Sequence, residues 1–270
     1  MSTHLDRILS HTLQAALARK ESTDLRALEL QAAAHTPRGF AAALTSCRGP
    51  AVIAELKKAS PSKGVLREDY RPAETAKTFQ AAGAACLSVL TNAEFFQGSL
   101  ADLAAVSAAV SIPVLCKDFM VDPFQILEAR AAGADAILLI VAAHDDAVLR
   151  ELAAVAREQG LDILCEVHDA AELERASILA ADFQGADMIG VNCRDLRTLD
   201  VHTQVHFDLA GSLPKDVVRV AESGIRDVAD VHRLQGAGYN AFLIGEALMR
   251  HPNPAAALAL MTGSVYHPGL

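Results

Sequence analysis

Eight short apolar runs punctuate the chain: PAVIAELK (50–57), CLSVLT (86–91), PVLCKDF (113–119), AILLIV (136–141), DILCEV (162–167), MIGVN (188–192), VVRVAES (217–223) and AFLIGE (241–246). Most are apolar on successive residues rather than alternate ones, and many positions are β-branched. Strands buried on both faces of a parallel sheet read this way. Amphipathic stretches lie between them, among them RPAETAKTFQAAG (71–83), PFQILEARAAG (123–133) and DAVLRELAAVAREQG (146–160). Each of these ends in Gly, the usual residue just past a helix C-terminus. An internal echo reinforces the alternation. GAACLSVL, GADAILLI, GADMIGVN and GYNAFLIG begin at Gly83, Gly133, Gly185 and Gly238, about 50 residues apart, the length of two βα units. The pattern predicts an α/β fold, a (β/α)8 TIM barrel spanning 49–270. A doubly wound open sheet is the alternative, but no GxGxxG follows any predicted strand.

Residues 1–48 break the alternation. LDRILSHTLQAALARK places Leu5, Ile8, Leu9, Leu13 and Leu17 on one helical stripe. A second helix is predicted over 22–34, capped by Ser22 or Thr23, and a short third one after Pro37. No Pro/Gly/Ser-rich linker separates this segment from the first strand, so the expectation is a helical extension packed on the barrel within a single domain.

Composition narrows the function. Of 270 residues, 51% are hydrophobic and 21% charged, which excludes a disordered chain. The net charge of −9, with no Trp and 4% aromatic residues, disfavours nucleic acid as a partner. A local cluster of Lys and Arg can still hold a small anion. No run of about 18 apolar residues exists, so no membrane span is expected. The opening MSTHLDRILSHTLQ is too polar for a signal peptide. The five Cys residues lack CxxC spacing and read as reduced thiols. The expected location is the cytoplasm, and the expected assembly a monomer.

Barrel enzymes carry their chemistry at the C-terminal ends of the strands. Those ends hold Glu55 and Lys57, Thr91 and Asn92, Lys117 and Asp118, Glu166 and His168, Asn192 and Arg194, Glu222 and Ser223, and Gly245 and Glu246, while the fourth stays apolar until His144. Glu55, Lys57, Lys117, Glu166 and Asn192 stand in or at the end of apolar runs, where Lys and Glu rarely sit unpaired. Interior ion pairs are the bland explanation. Acids and bases converging in one mouth would shift each other's pKa values, as general acid–base chemistry requires. The glycines of ESGI (222–225) and IGEALMR (244–250) suit an anion cradle, and KASPSKG (58–64) suits a lid or a second phosphate contact. His202 and His206 read as a surface pair, and His144 and His168 as rim residues. No nucleophile elbow, P-loop or metal-ligand cluster appears.

With these residues in place, the sequence resembles the indole-3-glycerol phosphate synthase family. The resemblance rests on IAELKKASPSKG (53–64), LSVLTNAEFFQGS (87–99), PVLCKDFMVDPFQI (113–126), GADAILLIVA (133–142), CEVHDAAEL (165–173), IGVNCRDLRTL (189–199), VAESGI (220–225) and AFLIGEALMR (241–250). It implies ring closure of 1-(2-carboxyphenylamino)-1-deoxyribulose 5-phosphate, with loss of CO2 and water, in tryptophan biosynthesis. No cofactor or metal is implied, and the partner is a small phosphorylated substrate. By resemblance Lys117 is the acid that protonates the ketone, and Glu166 and Lys57 serve the later proton transfers in an order the sequence leaves open. Glu55 would orient Lys57, and Asn192 would bind a hydroxyl or carboxylate. Arg194 and Lys57 would meet the anthranilate carboxylate, and Phe96 and Phe119 would sandwich the aryl ring. Ser60, Ser223, Gly224, Gly245 and Glu246 match the phosphate region. Cys193 departs from the family's usual Asn, Ser or Ala and raises the expectation of an oxidation-sensitive site. Two other classes compete: a Schiff-base aldolase with Lys117 as nucleophile, and a non-catalytic binding barrel.

Overall fold

The computed structural model describes residues 3–182 and 186–265. All eight apolar runs form strands: β1 Ala51–Leu56, β2 Cys86–Leu90, β3 Val114–Lys117, β4 Ala136–Ile140, β5 Asp162–Val167, β6 Met188–Asn192, β7 Val218–Glu222 and β8 Ala241–Ile244. They pair in parallel in sequence order, and β1 pairs with β8 to close a (β/α)8 barrel. Both faces of each strand are buried. Ile53, Leu115, Leu138, Leu164, Val220 and Leu243 fill the barrel interior, while Val52, Val89, Ile137, Ile189 and Phe242 pack outward against the helices. Two-sided burial is why the runs do not alternate.

The helices longer than one turn are α1 His4–Ser22, α2 Leu25–Ala34, α3 Phe40–Ser46, α4 Pro72–Ala81, α5 Leu100–Ala109, α6 Pro123–Ala131, α7 Asp146–Glu158, α8 Ala170–Asp182, α9 Gln204–Ala210, α10 Val228–Ala237 and α11 Pro254–Thr262, and single helical turns lie at Ala93–Phe96 and Glu246–Met249. The glycines after α4, α6 and α7 (Gly83, Gly133 and Gly160) have φ of 90°, 86° and 67°, the left-handed conformation that ends a helix.

The echo has a physical basis at the N-terminal end of the barrel. Asp135 Oδ2 accepts from the Val114 N–H at 2.7 Å, Asp187 Oδ2 from Ile163 N–H at 2.9 Å, and Asn240 Oδ1 from Arg219 N–H at 2.7 Å. In each case the residue just before one strand satisfies a backbone donor of the preceding strand. The first copy has Ala85 at this position, with no such acceptor, and Gly185 of the third lies outside the described residues.

The extension packs at both ends of the barrel. The buried Phe40 and Leu44 of α3 join the interior cluster at the bottom. Thr12 of α1 accepts a hydrogen bond from Asn92 Nδ2 at 3.2 Å, and Arg19 grips Glu128 of α6 with two bonds of 2.8 Å. The buried stripe of α1 runs through Leu5, Ile8, Thr12 and Ala16, not through Leu13 and Leu17, which are 40% and 42% exposed. A small residue and a hydroxyl face the barrel because Asn92 needs a partner there. The cap of α2 is Asp24, whose side chain accepts from Ala27 N–H, rather than Ser22 or Thr23. The segment after β1 is not an open loop: Ala59–Ser60 and Gly64–Val65 form a small antiparallel hairpin.

Candidate active site

Strand register brings the charged residues to one level of the barrel mouth. Glu55, Lys117, Glu166, Asn192 and Glu222 occupy inward positions near the C-terminal ends of β1, β3, β5, β6 and β7, and all line one cavity with Lys57 and Arg194. Lys117 Nζ lies 3.1 Å from Glu166 Oε2 and 2.6 Å from Glu222 Oε2. Lys57, two residues beyond Glu55 on the same side of the chain, pairs with its carboxylate. Space for these carboxylates comes from two glycines. A Cβ at Gly190 would sit 2.1 Å from Glu222 Oε1, and one at Gly245 would sit 2.2 Å from Glu55 Oε1.

The electrostatics divide the groups by role. Burial opposes the charge on Lys117, but Glu222 and Glu166 override it and hold the ammonium protonated well above the ordinary lysine range. Burial also works against an ionised Glu166, yet Lys117 and His168 keep it well below the usual carboxylate range. Glu222 goes the other way. Burial and the neighbouring Glu166 outweigh the pull of Lys117 and push it up to about 8. Two carboxylates around one lysine cannot both ionise freely, and the environment separates them into an anion and a proton-holding acid. Glu222 Oε1 is buried without a hydrogen-bond partner, while Glu55 Oε1 faces the Lys57 ammonium. Such an orphaned oxygen is expensive in a finished core but suits a site that will meet a ligand.

The remaining predicted residues fall into two neighbourhoods. Phe96 and Phe119 line the catalytic cavity, with ring centroids 6.4 Å apart and planes tilted by 34°. Here they touch each other and form one apolar wall; a third ring between them would need about 7–8 Å, two van der Waals contacts. Ser223 faces the same cavity and holds a φ of 64°, a conformation that costs a non-glycine residue about 1–3 kcal/mol and clusters at functional sites. A second cavity beside the first is lined by Ser62, Lys63, Arg194, Gly224, Glu246 and Arg250. Arg194 borders both cavities; it donates to Leu199 O at 2.9 Å and lies 3.5 Å from Glu246 Oε2. Ser60 does not line this second cavity, because it is taken up in the hairpin; Ser62 and Lys63 at the tip do. Gly245 also lies away from it, against Glu55.

Some sequence expectations change. His206 is not on the surface: it is 2% exposed, and its Nε2 reaches Val191 O and Glu222 O at 3.2 and 3.0 Å, while its partner His202 is exposed. His144 is partly buried, its Nε2 2.8 Å from Met120 O. His168 is half-buried, with its ring between Glu166 and Glu172. Cys193 is buried and its thiol is pushed up to about 11 by that burial, which leaves little thiolate at neutral pH and weighs against the oxidation expectation. Glu222 was the residue left out of the proposed site. The signal was present, since it is a charged residue inside an apolar run, the criterion that selected Glu55 and Glu166.

Comparison with known proteins agrees with this geometry. The family model described as indole-3-glycerol phosphate synthase matches residues 5–261. A curated protein of that name from Koribacter versatilis is 51% identical over 265 residues, covering 97% of this chain and 100% of its own length. Another of the same name from Burkholderia vietnamiensis is 50% identical over 264 residues, covering 97% and 99%.

Proposed function

We infer the division of labour at this site from the premise that the chain belongs to the indole-3-glycerol phosphate synthase family. The enzyme is a carboxy-lyase of tryptophan biosynthesis. It converts 1-(2-carboxyphenylamino)-1-deoxyribulose 5-phosphate to indole-3-glycerol phosphate, CO2 and water. The observation that carries our assignment is the Lys117 ammonium held between Glu166 and Glu222. Ring closure makes an aromatic carbon attack a ketone, and negative charge gathers on the ketone oxygen. Lys117, kept protonated by two carboxylates, donates its proton there. Glu222 shares that proton through its 2.6 Å contact and is positioned to restore it. CO2 then leaves the attacking ring carbon, which carried the carboxylate, and loss of the new hydroxyl from the former ketone carbon needs a second acid. Lys57, paired with Glu55, fills that role. Glu166, held ionised, takes the last proton as the indole becomes aromatic.

Phe96 and Phe119 open to receive the aryl ring, and Lys57 and Arg194 meet its carboxylate. Asn192, which lines the same cavity, binds a substrate hydroxyl. The phosphate sits in the neighbouring cavity, where Ser62, Lys63 and the backbone around Gly224 supply donors. Gly245 serves by giving Glu55 room, and Glu246 by holding Arg194. Residues 1–48 act with the barrel as one unit, through the Thr12–Asn92 and Arg19–Glu128 bonds. The enzyme works as a cytoplasmic monomer without cofactor, nucleic acid or membrane. The net charge of −9 speaks against a nucleic-acid partner, and five free thiols suit a reducing compartment. Among the described residues no helix is long and apolar enough to cross a membrane.

The test is direct because the chain has no Trp. Indole fluorescence should rise when substrate meets catalytic amounts of purified protein in excess EDTA. Absence of turnover with phosphate-ligand binding intact would overturn the reading, and a borohydride-trapped adduct on Lys117 would replace it with the aldolase.

A further inference from the structure

His168 follows β5 directly and points its ring toward the catalytic layer. Its Nε2 lies 3.4 Å from Glu166 Oε1, on the opposite carboxylate oxygen from the one that meets Lys117. Its Nδ1 lies 2.9 Å from Glu172 Oε2 in the first turn of α8, and the same oxygen accepts the His168 backbone N–H at 2.8 Å. The ring is thus anchored at backbone and side chain by one carboxylate and aimed at another. Carboxylate oxygens at both ring nitrogens leave one comfortable arrangement. In either neutral tautomer a nitrogen lone pair would face a carboxylate, whereas the imidazolium donates to Glu172 and sets its positive Nε2–H edge beside Glu166 as a charge contact rather than a hydrogen bond.

We propose that His168 is a positioning residue: as an imidazolium anchored by Glu172, it holds the Glu166 carboxylate ionised and turned toward the substrate. This rests on the assignment of Glu166 as the base of the reaction. Burial opposes charge on the ring, but Glu166 and Glu172 together push it up to about 10, which agrees with the geometry. Lys117 alone would then not suffice as counter-charge, because Glu222 competes for it. Other charged groups share the cavity beside the ring: Asp6 of α1, Asp169 and Arg175, and Asp195, Arg197 and His202 after β6. Lys117 and Glu222 act on it through Glu166. Among the described residues only Glu166 and Glu172 bring a carboxylate to the ring nitrogens.

The experiment compares kcat and KM of wild type, His168→Ala, His168→Gln and Glu166→Gln from about pH 5 to 8. Removing a cation beside Glu166 raises its pKa, so the ratio of H168A to wild-type kcat should fall as pH drops below that raised pKa, by about tenfold for each further pH unit. KM should stay within about threefold. Gln keeps a donor toward Glu166 without the charge, so H168Q should turn over faster than H168A at pH 8 yet show the same acid-side decline. It also carries the test if H168A does not fold. A pH-independent ratio, or an effect confined to KM, overturns the role of His168. Glu166→Gln separates the two readings. It should lose at least about 100-fold in kcat, the usual scale for a general base; near-normal turnover would remove Glu166 as base, and His168 with it.

Discussion

The barrel holds a buried charge cluster at each end, and they are built differently. At the bottom, Asp135 has no exposed surface, and each of its carboxylate oxygens has partners. Oδ1 accepts from Arg38 N–H at 2.8 Å and lies 3.1 Å from His35 Nε2, while Oδ2 accepts from Val114 N–H at 2.7 Å and Arg38 Nε at 2.9 Å. At the mouth, carboxylates outnumber the lysines they surround, and one of their oxygens, Glu222 Oε1, has no hydrogen-bond partner. A fully satisfied network ties the helical extension to the strands and has nothing left to offer a ligand. An under-satisfied one keeps a proton in contention among Lys117, Glu166 and Glu222. Buried charge by itself therefore does not mark a catalytic site; the state of its bonding does.

Breaking the bottom cluster should cost the most stability. Asp135→Ala strands Arg38 and the Val114 N–H, so unfolding by urea should show a loss of about 3–5 kcal/mol, the scale of a broken buried pair. Turnover per folded molecule should stay near normal. A large loss of kcat with little change in stability would erase the distinction between the two ends.

Glu222→Gln should do the reverse at the mouth. It removes one of two crowded carboxylates, so kcat should fall at least about tenfold while the melting temperature holds or rises. A lower melting temperature with normal turnover would make Glu222 a structural residue. Its pH dependence sharpens the point. A carboxyl raised from 4.5 to about 8 binds its proton more tightly in the folded state. Its contribution to stability is therefore complete below pH 4.5 and is lost as pH rises toward 8. Wild type should lose stability relative to E222Q across that window; parallel melting curves at every pH would contradict it.

Much of this architecture was legible in the sequence because parallel strands buried on both faces write continuous apolar runs, and because Glu and Lys inside such runs demand an explanation. What escaped has physical causes. The burial of His206 depends on Val191 and Glu222, 15 and 16 residues away, and on Tyr239, whose hydroxyl donates to its carbonyl at 2.7 Å. Helical periodicity does not carry such contacts. The leucine stripe of α1 misled because hydrophobicity ranked Leu13 and Leu17 above Thr12 and Ala16, while the packed face needed a hydroxyl and a small side chain. The hairpin that withdraws Ser60 is two residues per strand, too short for any periodicity. Glu222 was visible at its strand end, but nothing in the sequence said that it and Glu166 would share one lysine.

The central claim is that Lys117, clamped by two carboxylates, is the acid of ring closure. The most direct test is the steady-state kinetics of Lys117→Met, with its melting temperature measured alongside. The account predicts a folded protein whose kcat falls by at least about 100-fold while KM changes only a few-fold. A folded variant that turns over at a near-normal rate would contradict it.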